Sequence, residues 1–127
     1  MAATIEVISS GDALGAEVRG VDLSKPLDVN TFAVLESAFN EHSVICIRGQ
    51  DITPEQLITY ATRYGEPQRL FLNHYAMKEH PEILYVSNIQ KNGRDIGYAD
   101  AGIVWHTDMS FEKRPPRATV LHAREVP

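Results

Sequence analysis

His106 and Asp108 stand one residue apart, on either side of Thr107. On a β-strand, residues i and i+2 project from the same face with Cα atoms about 6.5 Å apart, so an imidazole nitrogen and a carboxylate oxygen can converge on one cation. That pair belongs to the ligand set of the 2-His-1-carboxylate triad, which holds non-haem Fe(II) on one side and leaves three positions open. A single carboxylate also leaves a divalent ion with net positive charge, able to attract an anionic co-substrate. Alone, a His-x-Asp triplet is more often structural than metal-binding, and Trp105 and Phe111 read as core aromatics. The full string Trp105-His106-Thr107-Asp108-Met109-Ser110-Phe111, followed by Pro115-Pro116, is a more specific signal.

The elements that must position this string are legible along the chain. Residues 4–8 alternate as a half-buried strand, and residues 15–21 form a second short one after the Gly11-Asp12 break. Asp28 caps a helix predicted over 28–41, with Phe32, Leu35 and Phe39 on one face. Residues 44–48 read as a compact apolar strand closed by Gly49. Thr53-Pro54-Glu55-Gln56 is a helix start in which Thr53 caps, Pro54 suits the first helical position and Gln56 closes a capping box. Leu57, Tyr60, Ala61 and Tyr64 share a face of that helix, and Gly65 ends it as a C′ glycine. Strand runs follow at 83–86, 103–111 and 117–126, the last with Ala118, Val120 and His122 on one face. Asn92-Gly93 signals a hairpin.

Composition narrows the function classes. Twelve basic against seventeen acidic residues give a formal charge of −5 over 127 residues, and no Lys/Arg block is present to neutralise a row of phosphates. Nucleic acid and membrane are not expected partners. No apolar run approaches the roughly 20 residues of a membrane span, and the N-terminus lacks the pattern of a secretion signal, so a cytoplasmic chain is expected. The single cysteine, Cys46, sits in the apolar run Val44-Ile45-Cys46-Ile47 and is expected to be a buried small hydrophobe. Disulfide scaffolds and cysteine-rich zinc modules are excluded.

The string around His106 resembles the TauD/TfdA family of Fe(II)- and 2-oxoglutarate-dependent dioxygenases, whose members have a Trp-His-x-Asp-x-x-Phe segment followed by a Pro-Pro strand. Gly20-Val21-Asp22-Leu23 resembles the family's early Gly-x-Asp-Leu turn, and His42 through Gln50 its first core strand. Ile52-Thr53-Pro54-Glu55-Gln56 with Arg63-Tyr64-Gly65-Glu66-Pro67 resembles the helix that follows. The resemblance implies a mixed β fold with helices: the N-terminal portion of a double-stranded β-helix, or jelly roll, with two flanking helices. It implies Fe(II) bound by His106 and Asp108, with 2-oxoglutarate as co-substrate. The implied reaction is hydroxylation of a small anionic substrate, sulfonate- or carboxylate-type, by dioxygen, with decarboxylation of 2-oxoglutarate to succinate. Residues 1–127 are then expected to form the N-terminal part of a single dioxygenase domain. The family's second metal histidine and its 2-oxoglutarate arginine lie further downstream, so the C-terminal half is expected to be absent and this stretch inactive on its own.

Other histidines are weighed against the same pattern. His74 falls in the connection where family members place substrate contacts, and is a candidate for binding an anionic group, on equal terms with a surface-loop role. His42 and His80 suit helix ends and surfaces, and His122 a structural place on a strand. Taurine-specific members resemble one another in a histidine soon after the Gly-Glu turn and an asparagine a few residues before the metal histidine; here Leu70 and Gly102 stand at those places. Partners expected are a small-molecule substrate, dioxygen and a further copy of the chain, as a homo-oligomer. The alternative is a non-catalytic module that keeps the N-terminal fold and binds a partner or itself.

Overall fold

Strand β1 (Glu6–Ser9) pairs antiparallel with β2 (Ala16–Arg19), in a register running from Glu6↔Arg19 to Ser9↔Ala16. The computed structural model describes residues 4–69 and 73–126; Leu70 lies outside them. Alternation along β2 sends Ala16 and Val18 into the core and turns Glu17 to the other face, where it accepts from Arg19 Nε at 2.6 Å and Arg48 Nε at 2.9 Å. These two guanidinium groups hold the Glu17 carboxyl below its ordinary range, Arg19 most strongly.

Parallel neighbours require a long crossover, and helix α1 (Val29–His42) supplies it, bringing β3 (Ile45–Cys46) alongside β2 to complete the order β1-β2-β3. Asp28 caps α1 as the sequence predicts, its Oδ1 accepting from the Thr31 N–H at 2.8 Å. At the other end Ser43 takes a left-handed conformation, φ 64°, and its N–H donates to the Phe39 carbonyl. Phe32, Leu35 and Ala38 are the buried face of α1, whereas Phe39 is only half-buried. Cys46 is exposed, a correction to its expected burial. One face alone turns inward here: Ile45 of β3 and Ile47 just beyond it are half-buried, and Cys46 points the other way.

Gln50 ties the following loop together. Its Oε1 accepts from the Leu23 N–H at 2.8 Å, and its Nε2 donates to the Val21 and Arg48 carbonyls, each at 3.0 Å. Gly20, at φ +80°, is required by close approach, because a Cβ there would overlap the Thr4 carbonyl oxygen. Helix α2 (Pro54–Ala61) opens with the reciprocal box: the Thr53 N–H donates to Gln56 Oε1 at 2.8 Å, and the Gln56 N–H to Thr53 Oγ1 at 3.3 Å. Tyr60 is its buried residue. α2 stops at Ala61, short of the predicted end. The Tyr64 and Gly65 N–H groups donate to the Ala61 and Thr62 carbonyls in tighter i→i+3 turns before Gly65 at φ 150°.

The chain divides into two compact units between Tyr60 and Ala61. In the second, a 3-10 turn (Asn73–Tyr75) precedes a hairpin of β4 (Gln90–Lys91) and β5 (Arg94–Asp95). Asn92 and Gly93 carry it with φ of 54° and 71°, as an Asn-Gly turn requires. The Tyr85 N–H donates to the Tyr75 carbonyl, the Tyr98 N–H donates to the Tyr85 carbonyl, and the Tyr75 and Tyr98 rings stack 5.6 Å apart. Gly97 is buried there, with room for no Cβ against Ser87 and the Tyr85 carbonyl.

Three predicted strands are not formed. Residues 83–86 contribute only a bridge between Ala76 and Leu84, and residues 103–111 and 117–126 form no ladder among the described residues. A strand exists through its neighbour's hydrogen bonds, and apolar alternation does not supply one. Ile103, Val104, Trp105, Phe111 and Leu121 are accordingly exposed, while Ala118, Val120 and His122 are half-buried. No helix among the described residues is long and apolar enough to cross a membrane.

Leu35 is wholly buried, so Leu35→Ala is expected to cost about 2–5 kcal/mol in urea denaturation, and the exposed Val29→Ala less than about 0.5 kcal/mol. Gly20→Ala, forced into positive φ and against Thr4, is expected to cost at least roughly 1–2 kcal/mol by the same measurement.

Candidate metal centre

Residues 105–107 lie between two turns, the first containing Gly102 at φ 77° and the second closed by the Glu112 N–H donating to the Met109 carbonyl at 3.0 Å. Met109 holds φ 52°, a left-handed conformation that costs a side-chain-bearing residue of order 1–3 kcal/mol and is concentrated at functional sites. It immediately follows Asp108.

His106 Nδ1 lies 2.7 Å from the Val104 carbonyl oxygen, and His106 Nε2 lies 3.0 Å from Asp108 Oδ1. A carbonyl oxygen only accepts, so Nδ1 carries the hydrogen, and in the neutral ring Nε2 is the nitrogen with the free lone pair. The other carboxylate oxygen, Asp108 Oδ2, accepts from Thr119 Oγ1 at 2.7 Å. Both side chains are about half exposed, 48% for His106 and 45% for Asp108. The Val104 carbonyl first, and then the Asp108 carboxylate, hold the His106 pKa above its ordinary value.

This donor pair passes a simple test of fit. Two ligands at right angles on a shell of about 2.1 Å lie about 3.0 Å apart, the separation of adjacent positions on an octahedral cation. The further contacts are those expected around a metal: the imidazole donates its other N–H to a carbonyl, and the carboxylate is itself hydrogen-bonded. Among the described residues, no group of three His, Cys, Asp or Glu side chains is assembled to hold a metal.

The structure thus brings His106 and Asp108 together as the i, i+2 spacing predicts, on an irregular segment in place of a strand. His74 lies on the 3-10 turn, exposed, its ring 4.0 Å from that of Tyr75. None of the described hydrogen bonds or ion pairs joins it to His106 or Asp108. His42 is the last residue of α1, and the His80 carbonyl accepts from the Ile83 N–H. Sequence reasoning missed Thr119 and the Val104 carbonyl. The signal for Thr119 was available: with Ala118 and Val120 on one face, Thr119 faces the other way.

The family model described as taurine catabolism dioxygenase TauD, TfdA family, matches residues 6–127. Pentalenolactone F synthase of Streptomyces avermitilis is 38% identical over 120 residues, covering 92% of this chain and 39% of that protein. The (S)-phenoxypropionate/alpha-ketoglutarate-dioxygenase of Delftia acidovorans is 28% identical over 138 residues, covering all of this chain and 44% of that protein. A crystal structure of a taurine dioxygenase from Burkholderia xenovorans superposes with a TM-score of 0.62 at 30% identity, over 68% of this chain and 31% of that one. The chain spans about two fifths of the length of the curated relatives it matches. On the strength of a family match that runs through both units and the His106–Asp108 pair, the chain belongs to the TauD/TfdA family of dioxygenases.

Proposed function

We propose that this chain supplies two metal ligands, His106 and Asp108, to an Fe(II)- and 2-oxoglutarate-dependent dioxygenase. The enzyme hydroxylates a small anionic organic substrate: one atom of dioxygen enters the substrate as a hydroxyl, the other enters succinate, and 2-oxoglutarate loses carbon dioxide. The observation that carries the reading is the 3.0 Å approach of His106 Nε2 to Asp108 Oδ1. It is supported by family membership and by a relative whose name pairs a phenoxypropionate with alpha-ketoglutarate.

The chain's own residues act by orientation. The Val104 carbonyl fixes the His106 tautomer, so that the ring need not choose between nitrogens when a cation arrives. Asp108 contributes one negative charge, leaving a divalent cation with net positive charge to draw in the keto-acid co-substrate. Bound Fe(II) with 2-oxoglutarate supplies the activation of dioxygen that no side chain here can perform. A third ligand and a cation for the distal carboxylate of 2-oxoglutarate complete the site in this reading, within a jelly-roll barrel of which residues 1–127 form the N-terminal part. His74, exposed beside Tyr75, is assigned to the anionic group of the substrate, and the enzyme to the cytoplasm. A second reading, association with a further copy or another subunit, draws on the exposure of Trp105, Ile103 and Phe111.

In the protein as its gene encodes it, His106→Ala and Asp108→Ala are each expected to lower Fe(II)-dependent formation of succinate from 2-oxoglutarate by at least about 100-fold; full activity in either variant rules the assignment out. The 127 residues alone are expected to show no Fe(II)- and 2-oxoglutarate-dependent oxygen uptake. Metal affinity is expected to depend on pH in one direction. His106 must be neutral to ligate, and its pKa is raised, so Mn(II) binding strengthens as pH rises past the ordinary histidine value of about 6.5. Binding that weakens over that interval contradicts the ligand role.

A further inference from the structure

We propose that Thr119 is a positioning residue of the metal centre, occupying Asp108 Oδ2 so that Asp108 presents Oδ1 alone beside His106 Nε2. This rests on the metal-binding reading given above. A carboxylate can meet a cation through one oxygen or both, and nothing in an Asp side chain by itself selects between them. Here the two oxygens have different partners: Oδ2 accepts the Thr119 hydroxyl at 2.7 Å, while Oδ1 faces His106 Nε2 at 3.0 Å. A hydroxyl-to-carboxylate bond of this length is charge-assisted and among the stronger hydrogen bonds a side chain makes.

The source of the hydroxyl matters as much as its distance. Thr119 is eleven residues beyond Asp108, across the Pro115-Pro116 break, so the bond pins the metal-ligand segment to a second stretch of chain. Its neighbours Ala118 and Val120 are half-buried while Thr119 itself is exposed, so the segment turns its apolar side chains one way and offers the hydroxyl the other. A β-branched side chain also has few rotamers to lose, which lowers the cost of holding Oγ1 in place. The carboxylate is therefore oriented before a cation arrives, from one side by Thr119 and from the other by the ring of His106.

The test is a Mn(II) titration of the isotope-labelled chain, reading paramagnetic broadening of the His106 and Asp108 amide resonances by NMR, a readout independent of turnover. Thr119→Val keeps the shape and removes the hydroxyl; Thr119→Ser keeps the hydroxyl. The half-broadening Mn(II) concentration is expected to rise roughly 10- to 100-fold in Thr119→Val, to stay within about 3-fold of wild type in Thr119→Ser, and to become unreachable in Asp108→Ala. Far-UV circular dichroism and unshifted second-unit amide resonances away from the site, such as those of Tyr85 and Tyr98, establish that each variant is folded. If Thr119→Val binds like wild type while Asp108→Ala does not, the positioning role is overturned and the ligand assignment stands. If Thr119→Ser is as weak as Thr119→Val, the hydroxyl is not what matters and the proposal also fails. If wild type and Asp108→Ala broaden alike, the ligand assignment itself fails and takes the positioning role with it.

Discussion

A carbonyl oxygen has lone pairs and no proton to give, so the 2.7 Å contact between the Val104 oxygen and His106 Nδ1 leaves the ring one arrangement in its neutral form. Nδ1 is the donor and Nε2 carries the lone pair. Everything else at the site follows from that constraint. Nε2 faces Asp108 Oδ1, the ring's pKa is raised because its protonated form gives both nitrogens acceptors, and in the proposed metal site a cation between Nε2 and Oδ1 would take the place of that proton with no turn of the ring. The remaining carboxylate oxygen is held from the far side by Thr119. The site consists of a backbone carbonyl, a ring, a carboxylate and a hydroxyl in series, all within the second unit of the chain.

The first unit is organised by different physics. A short three-stranded sheet is covered by α1, and its buried residues are Ala16, Val18, Phe32, Leu35 and Ala38 from the strand and helix that face each other, with Val21, Leu23, Ile52 and Tyr60 around them. Polar side chains close the connections: Asp28 and the Thr53/Gln56 pair at helix starts, Gln50 across three backbone groups of the loop. These are local devices, each satisfying backbone groups that helix ends and turns leave unpaired.

That locality explains what was legible in the sequence. The cap at Asp28, the box at Thr53 and the Asn92-Gly93 turn are decided by residues within a few positions of one another, and each forms where its residues predict it. The strands expected at 103–111 and 117–126 are decided elsewhere, by whichever chain lies alongside, and alternation of Ile103, Trp105 and Phe111 carries no information about that neighbour. Cys46 failed for a related reason: an apolar run is the same whether a strand buries one face or two, and β3 buries one. The His106–Asp108 pair was legible because the two residues are separated by one and no helix forms there to turn their side chains apart. For Thr119 alternation gave the direction of its side chain but not its partner, since the contact with Asp108 depends on how the chain folds back after Pro115-Pro116.

In the proposed site His106 Nε2 and Asp108 Oδ1 bind one iron. The most direct measurement is a crystal structure of the protein loaded anaerobically with Fe(II), with the ion located by its anomalous scattering. An iron peak is expected about 2.0–2.2 Å from both atoms, with the Val104 carbonyl still bonded to Nδ1. Iron bound elsewhere, or bound to only one of the two side chains, would contradict it.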